Sequence, residues 1–286
     1  MGIQVKINPY WGAAASVDLT DLINFNVLSI DGLGMAPVKN ILQTGPLQQG
    51  STRVDYKLQP RIISLVVDAI AVDLLDLVTR RDTLLRTFTT YSAYALDFIV
   101  EWDTGGSVIS RHIDVYYNGQ MTMASKDKRG YRQKTVIELI APFPIWRSDS
   151  AQTLTFNGLG AQVHTYVGSW EVHPWQVRIT GPKTDPCITV THADGTSEKL
   201  DFTGITIGSG HYYDIDLRYE YRKVRDETAV DKSGDLTVDS DLSTFCIKKT
   251  VDSTTHLVSG WNEINVTGGP DTGVVVIQFF PHYIGI

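Results

Sequence analysis

Residues 168–182 read GSWEVHPWQVRITGP. Two tryptophans, Trp170 and Trp175, bracket a glutamate, a histidine and a proline, and then the chain alternates. Three readings compete: a sugar-stacking platform, a metal or catalytic site, or the opening strand of a domain. Trp175 is in phase with Val177 and Ile179, against Gln176, Arg178 and Thr180. A period of two puts the first three on one face of a strand, which turns Trp175 toward a core. Pro174 has no N–H to give a ladder, which suits the first or an edge position. The stretch reads as the first strand of a second domain. Trp170 and His173 stay as candidate carbohydrate contacts beside it.

Downstream the pattern is all strand. CITVTH (187–192) and KLDFTG (199–204) flank ADGT, a hairpin turn. YYDIDLRYEYRK (212–223) alternates along its length. Tyr213, Ile215, Leu217, Tyr219 and Tyr221 fall on one side, and Asp214, Asp216, Arg218, Glu220 and Arg222 on the other. STFCIKKTV (243–251), WNEINVT (261–267) and GVVVIQFF (273–280) follow. At least seven short strands at close spacing predict a β-sandwich of jelly-roll type. There is no repeat of fixed period.

Upstream, APFPIW (141–146) ends a strand pattern with two prolines, and a polar, Gly/Ser-bearing stretch follows. The boundary is expected near residue 150, giving domains 1–150 and 151–286. In the first, LINFNVLSI (22–30) alternates and then slips phase, as a bulge would make it. DGLGMAP (31–37) reads as a turn, followed by a polar, Gln-rich loop to QGSTRV (49–54). RIISLVVDAIAV (61–72) is apolar at both parities, which predicts a strand buried on both faces. The one helix is expected at 73–88. Asp73 caps it, Asp76 follows near the positive end of the dipole, and Leu74, Leu77, Val78, Leu84, Leu85 and Phe88 form its apolar stripe. Arg80, Arg81 and Arg86 read as its solvated face. ALDFIVEW and SVISRHIDVYY pair as a hairpin over DTGG, KDKRGYR (126–132) is a basic loop, and KTVIELI (134–140) is a further strand. The class is mainly β, a β-rich α+β chain.

The formal net charge is −7 and no long basic run occurs, which argues against nucleic-acid sequence recognition. The first 20 residues carry one lysine and no apolar h-region, so a secretory signal is not expected. No apolar run reaches the roughly 20 residues of a membrane helix. Synthesis in the cytoplasm, without membrane insertion, is the expectation. Lys6 stands where an N-myristoylation pattern needs Ser or Thr. Cys187 and Cys246 are far apart with no CxxC, so reduced, packed thiols are expected, and a bridge between them stays open.

The usual catalytic motifs are missing: no GxSxG, HExxH, GxxxxGK[ST] or GxGxxG occurs. DKSGDLTVDSDL (231–242) starts like a calcium loop, but Leu236 stands at position 6 and Leu242 at position 12. Asp214 and Asp216 share a strand face about 7 Å apart, a spacing glycosidases use. Arg218 and Arg222 share that face and are expected to pair with them. The seven histidines are scattered without ligand spacing. No catalytic residue, metal or cofactor is expected, and the chain does not read as an enzyme.

What the short motifs lack alone, their order supplies. Asp31-Gly32-Leu33-Gly34, Gln49-Gly50, Gln59 through Leu65 and Ala141-Pro142-Phe143-Pro144 are followed by Pro174 through Gly181 and Gly260 through Ile264. This series resembles the distal tail protein family of long-tailed bacteriophages and related tail-like particles, over nearly the whole chain. The resemblance implies a tail-tube-like first domain that forms a homo-oligomeric ring, usually a hexamer. It implies a galectin-like or carbohydrate-binding-module-like second domain that projects outward. Such a ring joins the tail tube to the tip protein and carries receptor-binding components, at the distal end of the virion tail. The galectin pattern HxNPR with WGxE is missing here, and Trp170-Glu171 is its only echo. The second domain is therefore expected to scaffold, with carbohydrate-based host recognition as the alternative. The basic residues from Lys126 to Arg132 either line the ring channel or face a partner.

Overall fold

In a computed structural model, the structure describes residues 3–8, 17–46, 49–88, 95–123, 128–219, 221–240, 242–270 and 272–286. The chain is mainly β, with one α-helix among the described residues. It divides into two compact units, residues 1–149 with 284–286, and residues 150–283.

The first unit contains β1 (Ile3–Asn8), β2 (Val17–Asp18), β3 (Phe25–Asp31), β4 (Val38–Gln43), β5 (Thr52–Leu58), β6 (Arg61–Ile70) and α1 (Leu74–Thr87). It continues with β7 (Leu96–Asp103), β8 (Val108–Thr122), β9 (Lys128–Arg129), β10 (Arg132–Ala141) and β11 (Trp146–Ser148). Its main sheet runs β2-β1-β7-β8-β10-β6-β3. The β7–β8 hairpin pairs in the expected register, Leu96 opposite Val115 and Asp103 opposite Val108. The phase slip in β3 is a register shift between Val27 and Ser29 against β6. Of the basic loop, Lys126 and Asp127 lie outside the described residues. Lys128 and Arg129 pair with Gln133 and Arg132.

Three expectations need correction. β6 is not buried on both faces. Ile63, Leu65, Val67 and Ala69 are fully buried, whereas Ile62 is exposed and the rest of that face is half-covered. The sheet is antiparallel, so a single packed face suffices. Second, the Gln-rich loop is largely a two-stranded arm, β4 paired with β5 and with neither of the larger sheets. Nearly every residue of both strands is exposed, so no buried face wrote an alternation into the sequence. Third, the helix has its expected cap, Asp73 Oδ1 accepting the Asp76 N–H at 2.8 Å. Yet only Leu77, Leu84, Thr87 and the capping Phe88 are buried, while Leu74, Leu75, Val78 and Leu85 face solvent.

Arg61 ties several of the scattered motifs together in space. Its guanidinium is buried and donates to Gly32 O and Gly34 O (both 2.6 Å), Pro144 O (3.1 and 3.3 Å) and Ile284 O (2.7 Å). Burial draws its pKa below the ordinary value. Every one of these carbonyls would lack that partner without it. Gly32 has φ +92°, and a Cβ there would lie 2.1 Å from Ile62 O. The turn, the strand start and the proline-marked exit thus form one clasp.

The second unit contains β12 (Gln152–Asn157), β13 (Gly160–Thr165), β14 (Gln176–Thr180), β15 (Lys183–His192), β16 (Ser197–Asp201), β17 (Thr206–Ile207), β18 (Tyr212–Asp216) and β19 (Lys223–Asp226). It ends with β20 (Thr250–Val251), β21 (Val258–Ser259), β22 (Trp261–Gly269), β23 (Val274–Phe279) and β24 (His282–Tyr283). One sheet runs β12-β23-β14-β18-β19 and the other β13-β22-β15-β16, with β17 beside β15. Val177, Ile179, Ile215, Val275 and Ile277 from the first meet Ile188, Val190, Leu200, Ile264 and Val266 from the second in one core. This is a β-sandwich.

The alternation of residues 212–223 does not make one strand. β18 stops at Asp216, a turn follows, and β19 returns antiparallel to it. Tyr219 and Tyr221 are 71% and 60% exposed. Their rings lie under Arg222 and Arg218 at 5.6 and 4.8 Å, so cation–π stacking, not pleat, accounts for the pattern. Glu220 lies outside the described residues. The opening stretch also starts late. Trp170 and Val172 make single bridges to His282 and Ile247, and the strand proper begins at Gln176. Of STFCIKKTV, only Thr250–Val251 is strand. Both thiols are free, Cys187 half-buried and Cys246 buried.

Candidate functional site

Two sites in the second unit join chemically capable side chains. The first is a groove of about 330 Å³ lined by Trp175, Gln176, Asp214, Asp216, Arg218 and Tyr221, among others. The pairing of β14 with β18 sets Arg178 opposite Asp214. Arg178 grips that carboxylate with Nε at 2.7 Å and Nη2 at 2.6 Å, and Gln176 Nε2 adds a third bond at 3.0 Å. The bond to Asp214 raises the Arg178 pKa. Asp216 is gripped in the same two-pronged way by Arg218, at 3.1 and 2.6 Å. The carboxylates thus pair with arginines, though Arg178, not Arg222, serves Asp214. Arg222 donates to Leu217 O and Ser243 O instead. Both carboxylates therefore spend their oxygens on fixed two-pronged arginine contacts within the protein.

Trp175 lines this groove half-buried, with its indole N–H buried and unpartnered. It does not join Val177 and Ile179 in the core as expected. It stands one residue before the strand, where the pleat no longer sets its side. Trp170 and His173 are not among the groove's lining residues. Trp170 is half-buried and its carbonyl accepts from Tyr166 Oη at 2.7 Å. His173, also half-buried, donates from Nδ1 to Phe245 O at 2.9 Å. Both therefore help moor the entry segment to its neighbours.

The second site escaped the sequence reading altogether. His192 Nε2, Glu198 and Cys246 Sγ offer donor atoms within 4.8 Å of one another. His192 and Glu198 flank the 193–196 hairpin turn, and Cys246 arrives from far along the chain. Glu198 Oε1 takes Lys248 Nζ at 2.8 Å and Oε2 takes the Cys246 N–H at 2.8 Å. Burial alone would raise the Glu198 pKa, but the contacts around it, those of Lys248 and the Cys246 N–H among them, outweigh it and hold the carboxyl at about 2. Burial, with Glu198 nearby, pushes the Cys246 thiol up. No spacing rule links positions 192, 198 and 246, so no motif search finds them.

No protein-family model matches the chain, and no curated protein matches it in sequence. Solved structures do. The crystal structure of the Dit protein of SPP1, described as a paradigm of the hub adsorption apparatus in phages infecting Gram-positive bacteria, superposes with a TM-score of 0.65. The match has 14% identity and covers 98% of this chain and 100% of that one. A chain of the phage p2 baseplate in its activated conformation with Sr matches at TM-score 0.53 and 10% identity, covering 98% of each chain. A chain of that baseplate form with Ca matches at 0.51 and 11%, covering 97% and 98%. The chain thus has the fold of Dit-type phage hub proteins from end to end.

Proposed function

We propose that this chain is a structural hub at the distal end of a bacteriophage tail. Residues 1–150 assemble with further copies into a ring, a hexamer, and residues 151–286 project from it as a scaffold. The ring joins the tail tube to the tip protein and to receptor-binding components, and its role is structural, not catalytic. The observation that carries this reading is the end-to-end match to a hub protein, in which both chains are covered almost completely. Partial matches arise from shared domains, whereas this one includes both units in the same order.

Exposed apolar surface supports assembly through the first unit. The β4–β5 arm presents Val38, Ile41, Leu42, Val54 and Tyr56 to solvent. A lone two-stranded ribbon is marginal in water, so the arm gains stability from a partner surface. The test is mass by light scattering on the purified protein, with negative-stain images of the same peak. Six protomers of 31.8 kDa give about 191 kDa and a ring with a central hole. A protomer that stays single at high concentration and in tail extracts overturns the reading.

A second role, host-carbohydrate recognition, is favoured by the groove, where Trp175 and Tyr221 stand among Asp, Arg and Gln side chains. Trp170 and His173 are its candidates outside the groove. Glycan-array binding lost on Trp175→Ala supports the groove, and loss on Trp170→Ala supports the outer pair. No binding by the wild-type protein removes this role and leaves the hub intact.

A further inference from the structure

We propose that the second unit binds one zinc-like transition-metal ion between His192 Nε2, Cys246 Sγ and Glu198 Oε1. The argument begins with Asn262, which sits directly opposite His192 where β15 pairs with β22. Its Nδ2 donates to Lys248 O at 3.0 Å and Gly260 O at 2.7 Å. The amide is therefore oriented, and Oδ1 is its acceptor end. That oxygen accepts the Lys248 N–H at 3.3 Å and faces His192 Nδ1 at 2.8 Å. Nδ1 must then carry a proton, because the amide oxygen has none to give.

In the neutral ring, Nε2 is left as a bare lone pair. His192 is 1% exposed, and Nε2 is buried without a hydrogen-bond partner. It points at an anion, Glu198 Oε1, 3.5 Å away. A lone pair and a carboxylate face each other only with something positive between them. A proton on Nε2 satisfies that pair alone, with the Cys246 thiol donating separately to the same oxygen. Cys246 Sγ lies 3.9 Å from the same oxygen, and a metal engages all three atoms.

The distances suit such an ion. Zinc bonds of about 2.0–2.3 Å in tetrahedral array separate neighbouring donors by about 3.3–3.8 Å. A nitrogen, a thiolate and a carboxylate form a donor set of borderline softness, which suits zinc above calcium or magnesium. Metal-bound histidines donate their other N–H to an outer partner, and Asn262 is that partner here. Lys248 Nζ also donates to Oε1, at 2.8 Å, and the ion takes the place of the thiol proton that reaches the same oxygen. A shallow groove of about 250 Å³, lined by Glu198, Lys199, Asp239 and Thr244 among others, reaches Glu198 from solvent and supplies a path of entry. Water fills the fourth position, and the ion cross-links the β15–β16 hairpin to the chain ahead of β20.

The test is a titration of the full-length, chelator-stripped protein with Co²⁺, followed by Zn²⁺. One Co²⁺ per chain is expected, with a thiolate-to-cobalt charge-transfer band in the near ultraviolet that stoichiometric Zn²⁺ removes. Cys246→Ser abolishes the band and Cys187→Ser keeps it. Glu198→Gln, which retains a neutral contact for Lys248, weakens binding at least tenfold. A wild-type protein without the band overturns the proposal, whatever the variants do. So does a band that survives Cys246→Ser or disappears with Cys187→Ser. If Cys246→Ser fails to fold, the wild-type band together with its weakening in Glu198→Gln decides the matter.

Discussion

The two units bury apolar cores of similar extent, yet they differ in what they leave outside. Among the described residues, the first unit exposes more than twice as many large apolar side chains as the second. In the first they include five on the β4–β5 arm and four on the outer side of α1, at Leu74, Leu75, Val78 and Leu85. The sandwich closes its core between two sheets and is complete alone. Among the described residues, the first unit has one main sheet, one helix and an arm. Each unit also has a buried polar clasp. Arg61 gathers carbonyls from the turn, the exit and the C-terminal residues in the first, and Asn262 ties β22 to His192 and to both backbone groups of Lys248 in the second.

The sharpest way to break this comparison is to charge the arm. For the proposed hexamer, Leu42→Asp with Val54→Asp is expected to lower the assembled mass about sixfold in light scattering, while calorimetry shows both units still folded. An unchanged ring would show that the arm's exposure has no bearing on assembly. Next in size is Arg61→Met. It leaves several buried carbonyls without a donor and should cost at least about 3 kcal/mol by chemical denaturation. Hydrogen exchange should place the loss in the first unit alone. The counterpart in the second unit is Gly260→Ala, whose Cβ would lie 2.2 Å from Tyr166 O. The backbone has to shift, at a cost of about 1–3 kcal/mol confined to the sandwich.

Smaller effects probe the ends of elements. Asp73→Ala removes the helix cap and should destabilise the first unit by about 1 kcal/mol in a urea titration. The smallest change depends on pH. Burial pushes the Asp21 pKa upward, but the N–H groups of Phe25, Asn24 and Ile23 and the Asn24 amide pull it below the ordinary carboxylate value. The folded state therefore favours the ionised form. Its contribution is present above the ordinary carboxylate pKa and is lost as pH falls through the lowered one. The stability gap between wild type and Asp21→Ala should narrow on acidification, and a gap that widens would contradict the assignment.

Much of the fold was legible wherever burial imposes a period. The β7–β8 hairpin, the bulge in β3, the capped helix and the hairpin over ADGT each carry a local signal that packing then enforces. The misreadings fall where burial is weak or one-sided. The arm has no buried face, so its alternation is absent. Tyr219 and Tyr221 mimic a strand because they stack on arginines. Leu74, Val78 and Leu85 follow helical spacing yet face solvent, since periodicity reveals an apolar stripe without saying what covers it.

By itself the sequence determined a mainly β chain with a capped helix and a sandwich in its later half. Those properties rest on local periods, turn chemistry and residue order, all of which are written along the chain. Only the tertiary structure decided that Arg61 clasps the scattered motifs together, that Trp175 lines a groove rather than the core, and that His192, Glu198 and Cys246 converge. Those meetings depend on strand register between residues dozens of positions apart, and register is set by packing across the whole sheet.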